Sequence, residues 1–409
     1  MAKRPYLDYH TKERVHILRV LTYAGAIMAF LIGSGFATGQ EILQYYAGFG
    51  LWGILGTGSI VMILMTFVAV ELFTTGQREK LARPSLVFRY YGGRWIGGFY
   101  DFFSILFVFL SFTVMVAGAG AVFKEHYGLS QYLGGSLLAI AVGITVWFGL
   151  SSLVDVIGKI GPLIVVIAVG LGVVGIVVAK TGIVRGSELT PTLDLNLAAS
   201  TWYFSALSYV GFCMLWLAAF LTALGKSASS RREAASGGAL GAVVFALACM
   251  VVGLGLLANI EAVAGTEIPM LILANELAPW IGAGISVMIL AGIYTTAVPL
   301  LWTVSSRFYK DSTKQFKYLT IALAVLGTLV GLVLPFSKMV SLVYGINGFV
   351  GAVFIGLMVI TVIRRLTTGK SGWIPEGERT STGSIAINRD AIDMDEELQE
   401  ANEEETSSR

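Results

Sequence analysis

Charge is scarce in this sequence: 13% of its 409 residues are Asp, Glu, Lys or Arg, against roughly 25% in an ordinary soluble domain. So few charges cannot cover a water-soluble surface. The two signs nearly cancel, leaving a net charge of +2. With no basic stripe outside the loops, a nucleic-acid binder is excluded. Cysteine is as rare. Cys213 and Cys249 both fall inside apolar runs, which excludes a disulfide-stapled secreted domain. The three histidines, His10, His16 and His126, lie far apart in the chain, and no metal-ligating spacing links them. A membrane-embedded enzyme needs His, Asp and Glu facing one another across apolar segments. Those clusters are missing, so the chain does not read as an enzyme.

What the sequence does have is apolar surface. Hydrophobic residues make up 56% of it, in blocks of about 20, the length a helix needs to cross roughly 30 Å of hydrocarbon. The pattern predicts an all-α membrane protein with ten spans, at 17–47, 51–76, 95–123, 131–149, 157–180, 198–224, 234–258, 279–307, 316–334 and 337–365. The first is too long for a signal peptide, lacks a small-residue cleavage site, and follows Lys3, Arg4, Lys12 and Arg14, so the amino terminus is expected to stay in the cytoplasm. With that end inside, only Lys124, Lys180, Arg185 and Lys338 of the 28 Lys and Arg fall outside, as the positive-inside rule requires. Both termini are then cytoplasmic. An error of one span would put a basic loop on the wrong side.

The organisation follows from these spans. A cytoplasmic segment, 1–16, precedes five spans in 17–180; an extracellular linker, 181–197, leads to five more in 198–365; and 366–409 forms a polar tail ending in acidic residues. Such a tail reads as disordered. The acidic connection 259–278 has helical periodicity over 268–277, which predicts an extracellular cap helix. Because five is odd, the second half enters the membrane from the opposite side, the condition for an inverted repeat. In transporters built that way the substrate sits near the midplane, where discontinuous helices expose backbone groups.

Two segments fit that description. Span one holds Gly33, Gly35 and Gly39 within seven residues, interleaved with Ser34, Phe36, Ala37 and Thr38. The glycines weaken the helix there. Unwound, it would turn N–H groups near Gly35 to Ala37 toward an anionic group and leave carbonyls for a cation; alternatively, the glycines form a helix-packing seam. Span six carries Ser208, Tyr209 and Gly211, a second candidate discontinuity or else a packing patch. Phe36, Phe109 and Tyr209 lie at mid-depth and are candidates for pocket wall and gate. An ionisable residue inside a span is a functional candidate by default, and Glu41 is the foremost. It could receive a cationic substrate group, carry a proton, close an outer gate against Lys338, or pair with a tyrosine such as Tyr45. Glu71 and Asp101 are expected to pair with the basic loop 77–94.

The string Gly33-Ser34-Gly35-Phe36-Ala37-Thr38-Gly39-Gln40-Glu41 resembles the hinge of the amino acid-polyamine-organocation superfamily, and in particular the amino acid permeases typified by the YkvI membrane proteins. Gly158-Lys159-Ile160-Gly161-Pro162, Arg78-Glu79-Lys80 and Tyr90-Tyr91-Gly92-Gly93-Arg94 add to the likeness, which covers 17–365. One departure is the Phe-Ala that follows Gly-Ser-Gly, where the commoner hinge has Ile-Phe. The resemblance implies the leucine-transporter-type five-plus-five fold with alternating access. It also implies a sodium site between spans one and eight, carried over to the carbonyls of Ala29, Ile32 and Gly292 and the side chains of Thr295 and Thr296. Five oxygens without a carboxylate suit a monovalent cation; alternatively the two threonines bond back to their own helix. An inner gate would pair Arg14 with Asp311, and in proton-coupled relatives a span-five lysine, here Lys159, stands in for sodium.

The expectation is a secondary active transporter of a bacterial cell membrane. It would couple uptake of a small amino acid or related zwitterion or amine to Na⁺, with no organic cofactor. A proton-coupled or exchange permease, or a transporter-like sensor acting through the acidic tail, are the alternatives. A channel is disfavoured, since no repeated filter or ring of like charges is present.

Overall fold

The computed structural model describes residues 16–148, 154–310, 313–369 and 372–373, without the side chains of 154–162. Every regular element among the described residues is helical. In chain order they are α1 (Ile17–Leu31), α2 (Ser34–Thr38), α3 (Gln40–Tyr45), α4 (Gly50–Glu79), α5 (Leu86–Tyr127), α6 (Gln131–Phe148), α7 (Val154–Val177), α8 (Ile183–Leu189), α9 (Trp202–Gly225), α10 (Arg231–Ala258), α11 (Ile260–Val263), α12 (Pro269–Leu277), α13 (Pro279–Phe308), α14 (Lys314–Gly331) and α15 (Phe336–Thr368). Short 3₁₀ turns cover Ala47–Phe49 and Thr190–Thr192.

Local chemistry sets several of these ends. Ser230 caps α10 by accepting from the Glu233 N–H (3.1 Å), while the Glu233 carboxylate takes the Ser229 N–H and hydroxyl, a variant of the capping box. Thr313 caps α14 in the same way. Pro269 and Pro279 open α12 and α13, where a missing N–H costs nothing. α5 begins within the expected loop 77–94 and bends at Gly93, whose φ is +68°, so that loop contains a helical turn rather than open coil.

Seven helical stretches among the described residues are long and apolar enough to cross a membrane: Gln40–Glu79, Leu86–Tyr127, Gln131–Phe148, Trp202–Gly225, Arg231–Ala258, Pro279–Phe308 and Phe336–Thr368. Ile17–Leu31 and Leu163–Val177 are apolar but shorter. α4 packs against α9 and α10, α15 against α9, and α13 against α5, with α1 laid along α10.

Where hydrocarbon surrounds the protein, lipid is as apolar as any side chain, so close approach of small residues holds helices together. The contact of α9 with α15 shows this: a Cβ on Gly211 would fall on the Gly348 carbonyl oxygen, and one on Gly351 would fall on the Gly211 carbonyl oxygen. This corrects the expected discontinuity at 208–211. α9 runs unbroken from Trp202 to Gly225, and its glycine is there to let two backbones touch. At one end of the bundle the Glu71 carboxylate receives both Arg365 Nη atoms (2.7 and 2.8 Å) and the Tyr91 hydroxyl (2.9 Å), and Arg307 pairs with Asp101 (2.8 Å). Glu71 takes a hydroxyl from the segment 77–94, that of Tyr91, but the ion pairs of both acids are made with arginines far along the chain rather than with the expected basic residues of that segment.

Candidate functional site

The first helix breaks at the residues the glycine pattern singled out. α1 stops at Leu31, Ile32 is extended (φ −82°, ψ 95°), and α2 starts at Ser34. The Gly33 N–H bonds to the Leu31 carbonyl (3.1 Å) and so does not reach the Ala29 carbonyl four residues back. The end of α1 therefore presents carbonyls, and the first turn of α2 presents N–H groups, without their usual helical partners. α2 is five residues long because Gly39 adopts a left-handed conformation (φ +81°). A Cβ there would meet Met270 Cγ of α12 at 2.6 Å. Gly33, Ser34, Gly35, Phe36, Ala37 and Thr38 are all buried, and Phe36 lies 5.8 Å from the ring of Phe245.

Glu41, in the first turn of α3, is 1% exposed. Its Oε1 accepts the Tyr209 hydroxyl of α9 at 2.6 Å, and its Oε2 has no partner. That oxygen lies against Gly35, where any Cβ would collide with it. The glycine thus lets the carboxylate reach the helix break. Aromatic rings enclose it: Tyr45 and Tyr46 meet the Tyr209 ring edge-on at 5.3 and 5.2 Å. Phe212 stacks on Tyr344 at 4.8 Å, and Trp216 crosses both at 5.4 Å. The hydroxyls of Ser34, Tyr45, Tyr46 and Tyr344 are buried and make no hydrogen bond within 3.5 Å, although Ser34 faces Tyr344, Tyr45 faces Ser208 and Tyr46 faces Cys249. Buried polar groups are normally bonded because desolvation is costly, so this concentration in one place stands apart from the rest of the bundle.

A second polar meeting point lies on the other side of the break. Thr296 of α13 donates to the Ile32 carbonyl (3.3 Å), and Thr295 donates to the Gly292 carbonyl (3.1 Å). Gly292 approaches Ala37 of α2. Pro299 follows inside α13; lacking an N–H, it cannot bond the Thr295 carbonyl. Of the oxygens named for a cation, the structure joins Thr296 to the Ile32 carbonyl across the break, while Thr295 and Gly292 bond to each other within α13 and Ala29 lies in the last turn of α1. All five are uncharged oxygens, a set that would suit only a weakly held monovalent cation.

Other expected residues fall elsewhere. Phe109 is half-buried at the side of the core. Its place is taken by Phe107, which stacks on Trp216 at 5.5 Å, with Ser111 accepting the Trp216 Nε1–H (3.2 Å) and Met115 facing Gly33. Positions 107, 111 and 115 share one helical face and 109 does not. Ser208 donates to the Gly345 carbonyl (3.4 Å) and, with Gly211, serves the α9–α15 contact. Lys338 is exposed at the start of α15, so the structure does not pair it with buried Glu41. That end of the bundle is closed by neutral and acidic groups instead. The Glu267 carboxylate accepts from Ser337 N (2.5 Å) and Oγ (3.1 Å), Glu125 accepts from the N–H groups of Glu267 (2.6 Å) and Ile268 (2.8 Å), and Gln44 bonds Ser337 and Ser341. Arg14 and Asp311 lie outside the described residues. Lys159 rides on α7 with its side chain outside them.

Sequence reasoning passed over Tyr46, Tyr344 and Pro299. Tyr344 had a signal: Tyr344-Gly345 and Asn347-Gly348 interrupt an otherwise apolar span. Tyr46 caps the end of α3, and its place shows only where the fold sets its ring edge-on against Tyr209 of α9.

No family model matches the chain. It is 24% identical over 347 residues to an uncharacterized membrane protein, YkvI, of Bacillus subtilis (strain 168), covering 82% of this chain and 93% of the relative. Among solved structures it is similar to Mhp1 in an inward-facing conformation (TM-score 0.61, 14% identity, 85% of this chain and 77% of the other). It is also similar to MhsT in complex with L-phenylalanine (0.56, 16%, 83% and 88%) and to a substrate-bound, outward-open Na⁺-coupled sialic acid symporter (0.53, 15%, 83% and 78%). The chain is a multi-pass integral membrane protein and a distant homologue of YkvI, and it shares the leucine-transporter-type fold of secondary transporters.

Proposed function

We propose that this chain is a secondary active transporter that takes up a small amino acid or related zwitterion or amine by alternating access, coupled to Na⁺. In this reading ten spans form two inverted halves with both termini cytoplasmic. The observation that carries it is the interruption of the first helix at Ile32–Gly33, with unpartnered polar groups beside Glu41 on one side and the Thr295–Thr296 oxygens on the other. Hydrocarbon supplies no partners to broken backbone, so a break at that depth persists where it is buried in protein or lines a cavity, and in transporters such breaks mark the cargo site. The solved relatives include one described as Na⁺-coupled and one holding an amino acid, which supports the cargo and ion classes.

The residues divide the work. Ala29, Ile32 and Gly292 carbonyls with Thr295 and Thr296 hydroxyls would hold Na⁺, whose binding links α1 to α13. Gly33 to Thr38, Glu41 and Tyr209 would hold the cargo, with the aromatic rings excluding water. The Glu125–Glu267–Ser337 linkage would form the outer closure. One Na⁺ moving inward contributes about 2.3 kcal/mol per 100 mV, roughly a fifty-fold accumulation. A second reading replaces Na⁺ with H⁺; buried Glu41 is the observation that favours it. An imposed Na⁺ gradient across proteoliposomes is the test. Saturable accumulation that loses its Na⁺ dependence in Thr295→Ala/Thr296→Ala supports the proposal, whereas flux linear in solute concentration points to a channel, and accumulation driven by a pH gradient alone points to the second reading.

A further inference from the structure

Three carboxylates are buried among the described residues: Glu41, Glu71 and Glu233. Two of them are compensated. Glu71 holds Arg365 in two contacts and a tyrosine, and Glu233 has Arg19 at 3.9 Å with two donors from Ser229. Glu41 has one hydroxyl, from Tyr209. No Lys, Arg or His among the residues whose side chains are described is buried, so none of these side chains brings a cation to that depth. A carboxylate can accept about four hydrogen bonds, and an unpaired buried charge is among the most costly features a protein can hold.

We infer that Glu41 is the receptor for an ammonium group, and that the cargo is recognised by its positive charge rather than by a carboxylate. This rests on the transport reading above and narrows its cargo. An ammonium carries three donors and no acceptor. Around it stand a free carboxylate oxygen, Glu41 Oε2, and the buried hydroxyl oxygens of Ser34, Tyr45, Tyr46 and Tyr344, none of which makes a hydrogen bond within 3.5 Å. The Tyr45, Tyr46, Tyr209, Phe212 and Tyr344 rings supply faces that attract cations. Among the described side chains, a cargo carboxylate finds no buried cation opposite.

The test uses the purified full chain in detergent and two matched sets of probes. Isobutylamine, L-valine and isovalerate carry the ammonium alone, both groups and the carboxylate alone on one skeleton. Phenethylamine, L-phenylalanine and 3-phenylpropanoate do the same on an aromatic one. A ligand of the folded state raises the thermal midpoint. In at least one set the amine and the zwitterion should stabilise the protein saturably and the acid should not. Glu41→Gln, isosteric and uncharged, should bind the amine at least about tenfold more weakly, and Glu41→Asp should fall between. The wild-type comparison stands even where a variant does not fold. Acids that bind as well as their amines, the absence of any effect from all ammonium compounds, or an unchanged affinity in folded Glu41→Gln would each overturn the inference. Flux is scored separately: amine binding without flux contradicts the transport reading and supports this one, and acid flux without amine binding does the reverse.

Discussion

Gly39 shows how much one residue can fix. Its positive φ ends α2, sends α3 off in a new direction, and so turns Glu41 back toward Gly35. Gly39→Ala carries a left-handed strain of about 1–2 kcal/mol and a collision with Met270 as well. A lowered melting temperature, with cargo response lost before the fold is, is the expected outcome in a detergent thermal melt. The glycine density of 33–39 and the lone acid at 41 were legible from sequence because both are rare inside an apolar run. The identity of the aromatic wall was not. Phe109 and Phe107 differ by two positions, and only the face that α5 turns inward decides between them. The hydroxyl pair Thr295–Thr296 was equally readable. Its division was not: Thr296 reaches across to Ile32 while Thr295 bonds within its own helix, so the bond back to the same helix holds for Thr295 alone.

At the scale of elements, the contrast is between the first helix, which is broken, and α9, which is not. Both carry glycine and hydroxyl residues near mid-span, and composition cannot tell a hinge from a contact. What separates them is the partner: Gly211 has the backbone of α15 pressed on it, whereas Gly33 faces the side chains of Met115 and Trp216. Gly211→Ala should therefore destabilise the fold by overpacking, about 1–3 kcal/mol, read as an earlier thermal midpoint. If α9 were a hinge, alanine would leave that midpoint unchanged. The Glu71–Arg365 pair joins α4 to the end of α15. Removing one partner of a mostly buried pair leaves the other uncompensated, so Arg365→Met should cost about 3 kcal/mol. Adding Glu71→Met to it should recover much of that loss in the same thermal assay.

Across the whole molecule, the two ends of the bundle are closed by different chemistry. At one, arginine–carboxylate pairs join helix ends: Arg365 with Glu71 and Arg307 with Asp101. At the other, carboxylates grip backbone and serine groups of α12 and α15. The second kind has no net attraction between opposite charges to overcome, and suits a closure that opens and re-forms. Glu267→Gln keeps the shape but weakens the grip on the Ser337 N–H. It should shift the resting population toward the open state and raise access from that side several-fold. The lysine and arginine distribution gives an expected orientation, but no residue pattern gives this closure. It joins positions as far apart as Gln44, Glu125, Glu267 and Ser337 through backbone donors that no side-chain pattern records.

The central claim is that cargo passes at the break beside Glu41, and a cysteine there tests it most directly. In proteoliposomes containing Ser34→Cys that still takes up amine, the alkylation rate by a membrane-impermeant maleimide should fall several-fold at amine concentrations that saturate uptake. It should rise when Glu267→Gln is added. A rate that ignores saturating cargo while uptake continues would place the path elsewhere and contradict the account.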